Sequence, residues 1–419
     1  MGTTCRWPIA MACLALAAAC GGGPAGTPAT RPAANPATPA STAPPGGPSA
    51  GGTSPVGASP AATGEIAASP DWKTVPGARL EGSAALLDVA AAGPGNAWAV
   101  GYKESAEDRE GTPALQHWDG ARWTQTAVSS SDAWHLVGVS AGGPDDVWIV
   151  GNGESPYAAH WNGARWTGSH PYGVAEDYFL SDVATSGGHA WLVGRNASQG
   201  VITEWRPQGF RQALSADGYL LAVTAKRGHV WAVGSDAAAS SGTSGTPGTP
   251  MVWHGTAVSG TEIQSWQREP TPQITGGVLR RVWMVSPSDV WAVGSVSPSA
   301  DRPETPLVLH YNGASWQKVE APIPRGRLDG VTAFGPADVW ISGIDADHSG
   351  QALFLHYDGQ KWTPSYGPLL REHDDGQQYE ESDDIARTGI ARIPGTSSLW
   401  AVGSVGGGDA EDDFVLRHG

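Results

Sequence analysis

Asp146-Val147-Trp148-Ile149-Val150-Gly151 is the stretch that decides the fold, because the chain repeats it. Close copies are Asn96-Ala97-Trp98-Ala99-Val100-Gly101, His189-Ala190-Trp191-Leu192-Val193-Gly194, His229-Val230-Trp231-Ala232-Val233-Gly234 and Asp289-Val290-Trp291-Ala292-Val293-Gly294. Looser copies are Asp338-Val339-Trp340-Ile341-Ser342-Gly343 and Ser398-Leu399-Trp400-Ala401-Val402-Gly403. Self-similarity at a spacing of about 40–60 residues marks stacked supersecondary units. The repeat speaks to architecture and names no ligand.

Around each copy lie four short apolar runs. In residues 327–364 the first is Leu328–Ala333, and a tight Gly335-Pro336-Ala337-Asp338 turn leads to the second, Val339–Ser342. A longer loop precedes the third, Ala352–Tyr357, and Asp358-Gly359 turns into the fourth at Lys361-Trp362-Thr363. Runs rich in Val, Trp and Tyr, bounded by Gly-Pro and Asp-Gly, read as strands joined by hairpins. No stretch past residue 70 has helical periodicity. The second run is apolar on both faces, as a strand enclosed between neighbours must be.

The third and fourth runs share a wording of their own. It reads His117-Trp118-Asp119-Gly120-Ala121-Arg122-Trp123, then His160–Trp166, His310–Trp316 and His356–Trp362, with degenerate forms at Glu204-Trp205 with Phe210 and at Trp253 with Trp266. The seventh copy stops after its third run, Phe414–His418. Asp71-Trp72-Lys73-Thr74-Val75-Pro76, at the other end of the domain, reads like Gln360-Lys361-Trp362-Thr363-Pro364 and supplies the missing strand. First and last segments sharing one blade close a ring and remove exposed edges. The expected fold is all-β: a seven-bladed β-propeller, closed by an N-terminal strand completing the last blade and preceded by a disordered tether.

These motifs resemble the propeller-repeat proteins found among bacterial lipoproteins and secreted proteins, and more distantly kelch repeats. The resemblance covers residues 71–419 and rests on a second strand ending in Gly and on the aromatic-then-Trp third and fourth strands. It departs from kelch in lacking the regular Gly-Gly pair after the second strand.

Residues 1–19 hold Arg6 and then an apolar run from Trp7 to Ala19, followed by Cys20. That is the layout of an export signal, too short to span a bilayer as a helix. The segment resembles a lipoprotein signal, which implies lipid attachment at Cys20. Ala17-Ala18-Ala19 also suits ordinary signal cleavage, so simple secretion stays open. All three cysteines, Cys5, Cys13 and Cys20, fall at or before that point, so the mature fold has no disulfide to rely on. Residues 20–70 are Gly, Pro, Ala, Ser and Thr almost throughout and cannot bury a core. They form a tether of about 40 Å as a coil, or about 150 Å if polyproline-like.

Only Arg6, Arg31 and Glu65 are charged before residue 71, so of the 25 basic and 41 acidic residues of the chain 23 and 40 belong to the propeller, whose formal charge is −17. That balance excludes a nucleic-acid partner, which needs clustered Lys and Arg. In a propeller, second-to-third and blade-to-blade loops share one face. Here these are the long, variable ones at 102–112, 167–177, 235–250, 295–305, 344–351 and 365–384. Insertions concentrated on one face mark it as the functional face.

Acids also gather there. Asp345, Asp347, Glu372, Asp374, Asp375, Glu380, Glu381, Asp383, Asp384, Asp409, Glu411, Asp412 and Asp413 form a candidate acidic rim for Ca²⁺ or a partner. The alternative reading is a solvated rim. Asp345-Ala346-Asp347-His348-Ser349-Gly350 opens like a calcium loop, but its twelfth position is His356 rather than Glu.

Catalytic signals are weak. Gly138-Val139-Ser140-Ala141-Gly142 matches the nucleophile-elbow pattern but lacks the strand-to-helix context it needs. The repeated histidines fall on separate blades and cannot share a metal; they read as packing or hydrogen-bonding groups. Arg280, Arg281 and Tyr219 lie near first-strand entrances and are the remaining candidates. No catalytic residue is assigned. The expected function is a surface-anchored, non-enzymatic module that binds a protein or glycan through its long-loop face. A hydrolase or lyase of an envelope polymer and a structural envelope protein are the alternatives. The expected partners are a membrane, through the lipid on Cys20, and a protein or glycan at the long loops, with the chain itself monomeric. No cofactor is expected beyond Ca²⁺.

Overall fold

The computed structural model describes residues 67–419, apart from 77–79, 81, 104–110, 129–132, 172–177, 197–198, 238–246, 258–261, 298–302, 371–383 and 408–409. The expectations for the leader, for Cys20 and for the tether before residue 67 lie outside the described residues.

Seven four-stranded antiparallel sheets make up the described chain. Six take their strands in simple order, as blade 1 does with Ala84–Gly93, Asn96–Lys103, Thr112–Trp118 and Trp123–Gln125. Blades 2 to 6 follow at 133–169, 179–217, 219–268, 277–319 and 326–366. Blade 7 has Ile385–Arg392, Leu399–Gly407 and Ala410–His418, and its outer strand is Trp72–Thr74. Trp72 pairs with His418, Lys73 with Arg417 and Thr74 with Leu416. The expected seven-bladed closure is therefore the observed one. The seam starts a little earlier than residue 71, because the Ser69 N–H donates to the Tyr366 carbonyl of blade 6 at 2.9 Å.

The cores lie between blades, not within them. One cluster joins Trp98 and Val100 of blade 1 to Leu136 and Ile149 of blade 2. The closing one joins Trp118 and Trp123 of blade 1 to Trp400 and Val402 of blade 7. A single blade has nothing to bury its faces against, so stability requires the ring.

The repeated tryptophan is the hub of each interface. Trp98 stacks on His117 of its own blade, with ring centroids 4.1 Å apart, and meets Trp161 and Trp166 of the next blade at 5.5 and 5.1 Å. Trp231 repeats this on His254 at 3.8 Å, and Trp291 on His310 at 4.0 Å. At the seam, Trp72 stacks on Phe354 at 3.5 Å and meets Trp340 edge-on at 6.3 Å. Such pairs add about 0.5–1.5 kcal/mol each beyond the area they bury.

The Gly that ends each repeat has a steric cause. In blades 1 to 6 the first strand carries a bulge, as between Leu86 and Asp88; in blade 7 the bulge falls two residues earlier in register, between Ile385 and Arg387. There the first strand crosses so close to the second that a Cβ at Gly101 would collide with the Ala85 carbonyl oxygen, and one at Gly294 with that of Val278. The aromatic-Asp/Asn-Gly turns are equally local. Asp119 Oδ1 accepts the N–H groups of Ala121 and Arg122, both at 2.9 Å, and Gly120 takes the left-handed conformation the turn requires.

Candidate functional site

The first strands of the seven blades line the axis. At mid-height the residues paired with the Val (or Ser342) before each repeat Gly form one layer: Asp88, Gly138, Asp182, Ala222, Arg281, Gly330 and Gly389. Four of these are Gly or Ala, which clears the axis for the three charged side chains. Arg281 of blade 5 reaches across it, with Nη2 at 3.1 Å from Asp88 Oδ1 of blade 1 and Nη1 at 3.2 Å from Asp182 Oδ1 of blade 3. The carboxylates are further tied to the backbone. Val139 N–H donates to Asp88 Oδ2 at 3.0 Å, Val183 N–H to Asp182 Oδ1 at 2.8 Å, and Val223 N–H to Asp182 Oδ2 at 3.0 Å. Each aspartate thus joins its own blade to the next, and Arg281 joins the two.

Burial pushes the Asp182 carboxyl up to about 6; Arg281 opposes that rise and the Asp88 carboxylate adds to it. Burial also works against the charge on Arg281, but Asp88 and Asp182 outweigh it and hold the guanidinium above its ordinary pKa.

Toward the long loops lies a second charged group. Arg327 Nε donates to Asp329 Oδ1 at 3.1 Å, and Arg280 Nη2 sits 3.1 Å from Glu304 Oε1. Arg387, on the first strand of blade 7, is open to water although protein surrounds it. Its pKa is lowered by that enclosure first and by Arg281, Arg280 and Arg327 besides, against Asp329. Among the described residues no carboxylate stands within ion-pair distance of Arg387. Phe179, 47% exposed, starts the first strand of blade 3 at this same end.

Toward the first-to-second turns the axis widens into a cavity of about 400 Å³. Its floor is the Asp88–Asp182–Arg281 layer, and its mouth carries Lys226, Trp283 and Arg392. This concavity lies opposite the long loops, at the end of the tight first-to-second turns.

The acids of the expected rim separate into distinct roles. Glu372, Asp374, Asp375, Glu380, Glu381, Asp383 and Asp409 lie outside the described residues. Asp345 is buried and belongs to the second strand of blade 6, not to the following loop. It accepts from Tyr366 Oη at 2.6 Å, from the Asp347 N–H at 3.0 Å, and pairs with His348 Nδ1 at 2.9 Å. Asp347 pairs with Arg325, and Asp384 accepts from Ser349 Oγ at 2.6 Å. Glu411 accepts from Tyr102 Oη at 2.6 Å and Ser404 Oγ at 2.5 Å, and buried Asp413 accepts the Leu80 N–H at 2.7 Å. Asp412 is half-buried on the same strand. Among the described residues no three His, Cys, Asp or Glu side chains are grouped to hold a metal ion.

The other sequence candidates resolve as structural groups. Ser140 Oγ accepts the Thr185 N–H of the next blade at 3.1 Å. The repeat Asp pairs with the repeat His, as in Asp289–His310 at 2.8 Å and Asp338–His356 at 3.0 Å. His189, where other blades have Asp or Asn, pairs instead with Glu204 at 3.1 Å. Arg281 lies at mid-strand rather than at an entrance. Asp88 and Asp182 were missed, yet Asp88 offered a signal, a carboxylate interrupting an otherwise apolar first strand; Asp182, in a strand that also holds Ser181 and Thr185, stands out less.

No family model matches the chain, and no curated protein sequence matches it. Among solved structures it is similar to "YCF48 bound to D1 peptide", with 16% identity, a TM-score of 0.51, and coverage of 84% of this chain and 97% of that one. It is also similar to YCF48 from Cyanidioschyzon merolae, with 16% identity, a TM-score of 0.48 and coverage of 84% and 99%. A polysaccharide lyase, ulvan lyase, follows with 10% identity, a TM-score of 0.48 and coverage of 80% and 95%. At these identities the likeness is one of fold: the chain is a closed β-propeller.

Proposed function

We propose that the chain is a non-enzymatic binding module that engages a protein or glycan partner at the long-loop end of its axis. In this reading the lipid on Cys20 and the tether hold it on the extracytoplasmic side of a membrane. Arg387 is the observation that supports it most. A guanidinium facing water, crowded by three other arginines and paired with no described carboxylate, is a ready hydrogen-bond fork for a partner's oxygen atoms. The nearby acids offer little to a reaction. Asp88 and Asp182 are saturated by Arg281 and backbone amides, Asp329 is held by Arg327, and Glu304 by Arg280 and Ser295. A propeller of similar fold solved with a bound peptide supports a polypeptide segment as the partner.

The test is a pull-down from envelope extracts with the full chain, its Arg387→Gln variant and a variant lacking residues 371–383. The reading expects a partner recovered by the native chain and lost with Arg387→Gln at unchanged melting temperature. Equal recovery by all three proteins would remove the long-loop end as the site.

A further inference from the structure

The cavity on the tight-turn side belongs to neither the long-loop site nor the ring closure, and its mouth is built against electrostatic preference. Lys226 of blade 4 and Arg392 of blade 7 both border it, and Arg227 stands beside Lys226. Lys226 Nζ is anchored by one hydrogen bond to the Val285 carbonyl at 3.1 Å, leaving two donors. Arg392 lies over the Trp283 ring, its guanidinium carbon 5.8 Å from the centroid. Among the described residues no carboxylate pairs with Lys226, Arg227 or Arg392. Burial, then Arg392 and Arg227, lower the Lys226 pKa, so the three cations feel one another. In a chain of net charge −16, like charges gathered without a counterion are an unspent attraction for an anion.

The backbone supplies an independent sign. Blades 3 and 4 make the same two-residue turn, Ser186 to His189 and Lys226 to His229. Blade 3 places Gly187 at φ 62°, where glycine is at ease, whereas blade 4 places Arg227 at φ 51°. Among the described residues Arg227 is the one non-glycine with positive φ. A basic side chain thus occupies a left-handed position that its structural twin leaves to glycine, and strain of that kind gathers at ligand sites.

We propose that this cavity is an anion site that takes the carboxylates of an acidic peptide segment, with Lys226, Arg227 and Arg392 as its cationic rim. A peptide fits better than an acidic sugar. The indole bordering the cavity, Trp283, lies beneath Arg392 and leaves no open aromatic face on which a sugar ring could stack. The walls combine the small apolar groups Ala90, Ala141, Ala184 and Ala225, which suit the methylene stems of Glu or Asp, with Ser140, Thr185 and Asp146; the Asp146 carboxylate is already engaged by His160 at 3.0 Å and by Thr185 Oγ1 at 2.9 Å. The Arg281 layer separates this cavity from Arg387, so the two sites are tested by different residues.

The experiment is fluorescence anisotropy with labelled hexaglutamate and the full chain, with hexaglutamine and oligogalacturonate as comparisons. Hexaglutamate should bind saturably and weaken with added salt, while hexaglutamine does not bind. The Lys226→Gln/Arg392→Gln variant should lose at least about tenfold in affinity, the loss of one charge-assisted hydrogen bond. Arg227→Gly should also weaken binding while keeping or raising the melting temperature, and Arg387→Gln should leave it unchanged. The proposal is overturned if hexaglutamate shows no saturable binding or if Lys226→Gln/Arg392→Gln binds it like the native chain. Oligogalacturonate displacing hexaglutamate at lower concentration would overturn the peptide assignment.

Discussion

Arg281→Met tests the axial lock most directly. The substitution keeps length and apolar bulk but removes the cation that Asp88 and Asp182 share at 3.1 and 3.2 Å. All three side chains are mostly buried, 15%, 11% and 8% exposed, so little solvent screening discounts the effect. Removing one partner of a buried ion cluster costs about 3–5 kcal/mol. For a propeller of this size, with an unfolding entropy of roughly 2 cal/mol/K per residue, that lowers Tm by about 4–7 °C. The loss should depend on pH. The folded-state pKa of Asp182 is already raised to about 6, so its contribution to stability is full below the unfolded value near 3.8 and is lost as pH rises through 6. Without Arg281 the folded pKa climbs further, and the ionised form costs more at neutral pH. Thermal melts of both proteins from pH 5 to 8 should therefore diverge at pH 8 and converge toward pH 5. Arg281→Met/Asp88→Asn/Asp182→Asn should melt above the single variant at pH 8. A native Tm for Arg281→Met at pH 7.5, or a deficit that does not change with pH, would refute the lock.

Trp72→Ala opens the seam by deleting the ring that stacks on Phe354, and should cost about 3–5 kcal/mol in chemical denaturation. Gly294→Ala forces a Cβ onto the Val278 carbonyl and should cost about 1–3 kcal/mol through strand displacement, whereas Gly335→Ala, with open space around its Cβ, should be milder. The pKa of His254 is lowered to about 4, by burial first and then by His229, so NMR should find its ring neutral at pH 5. Because that pKa is depressed below 6.5, the stability tied to neutral His254 is full above pH 6.5 and falls as pH drops toward 4. His254→Gln should flatten that part of the melting curve.

The strands and turns that recur within one blade were legible in the sequence. The short apolar runs and the Asp-Gly turns are set by neighbours a few residues apart, and seven copies make the pattern unmistakable; the histidines read only as packing or hydrogen-bonding groups, and their stacking on the repeat Trp, as of His117 on Trp98, appears once the strands pair. Even the seam at Trp72 could be read, because a missing fourth strand at one end and a spare one at the other leave one way to close the ring. Sidedness was half legible. Loop lengths point to one face, but the cavity opens on the other, because its volume depends on how first strands converge on the axis. Asp345 shows the same limit: its spacing reads as a loop acid, while the strand in fact runs on far enough to bury it against Tyr366.

What the sequence determined by itself is the unit, its number and its closure, since each follows from short-range patterning that repeats. What only the tertiary structure decided is which non-repeating residues meet. Arg281 finds Asp88 and Asp182, and Arg392 finds Trp283, across blades far apart in the chain. Those meetings are set by the ring's geometry, which places equivalent positions face to face whatever residues occupy them.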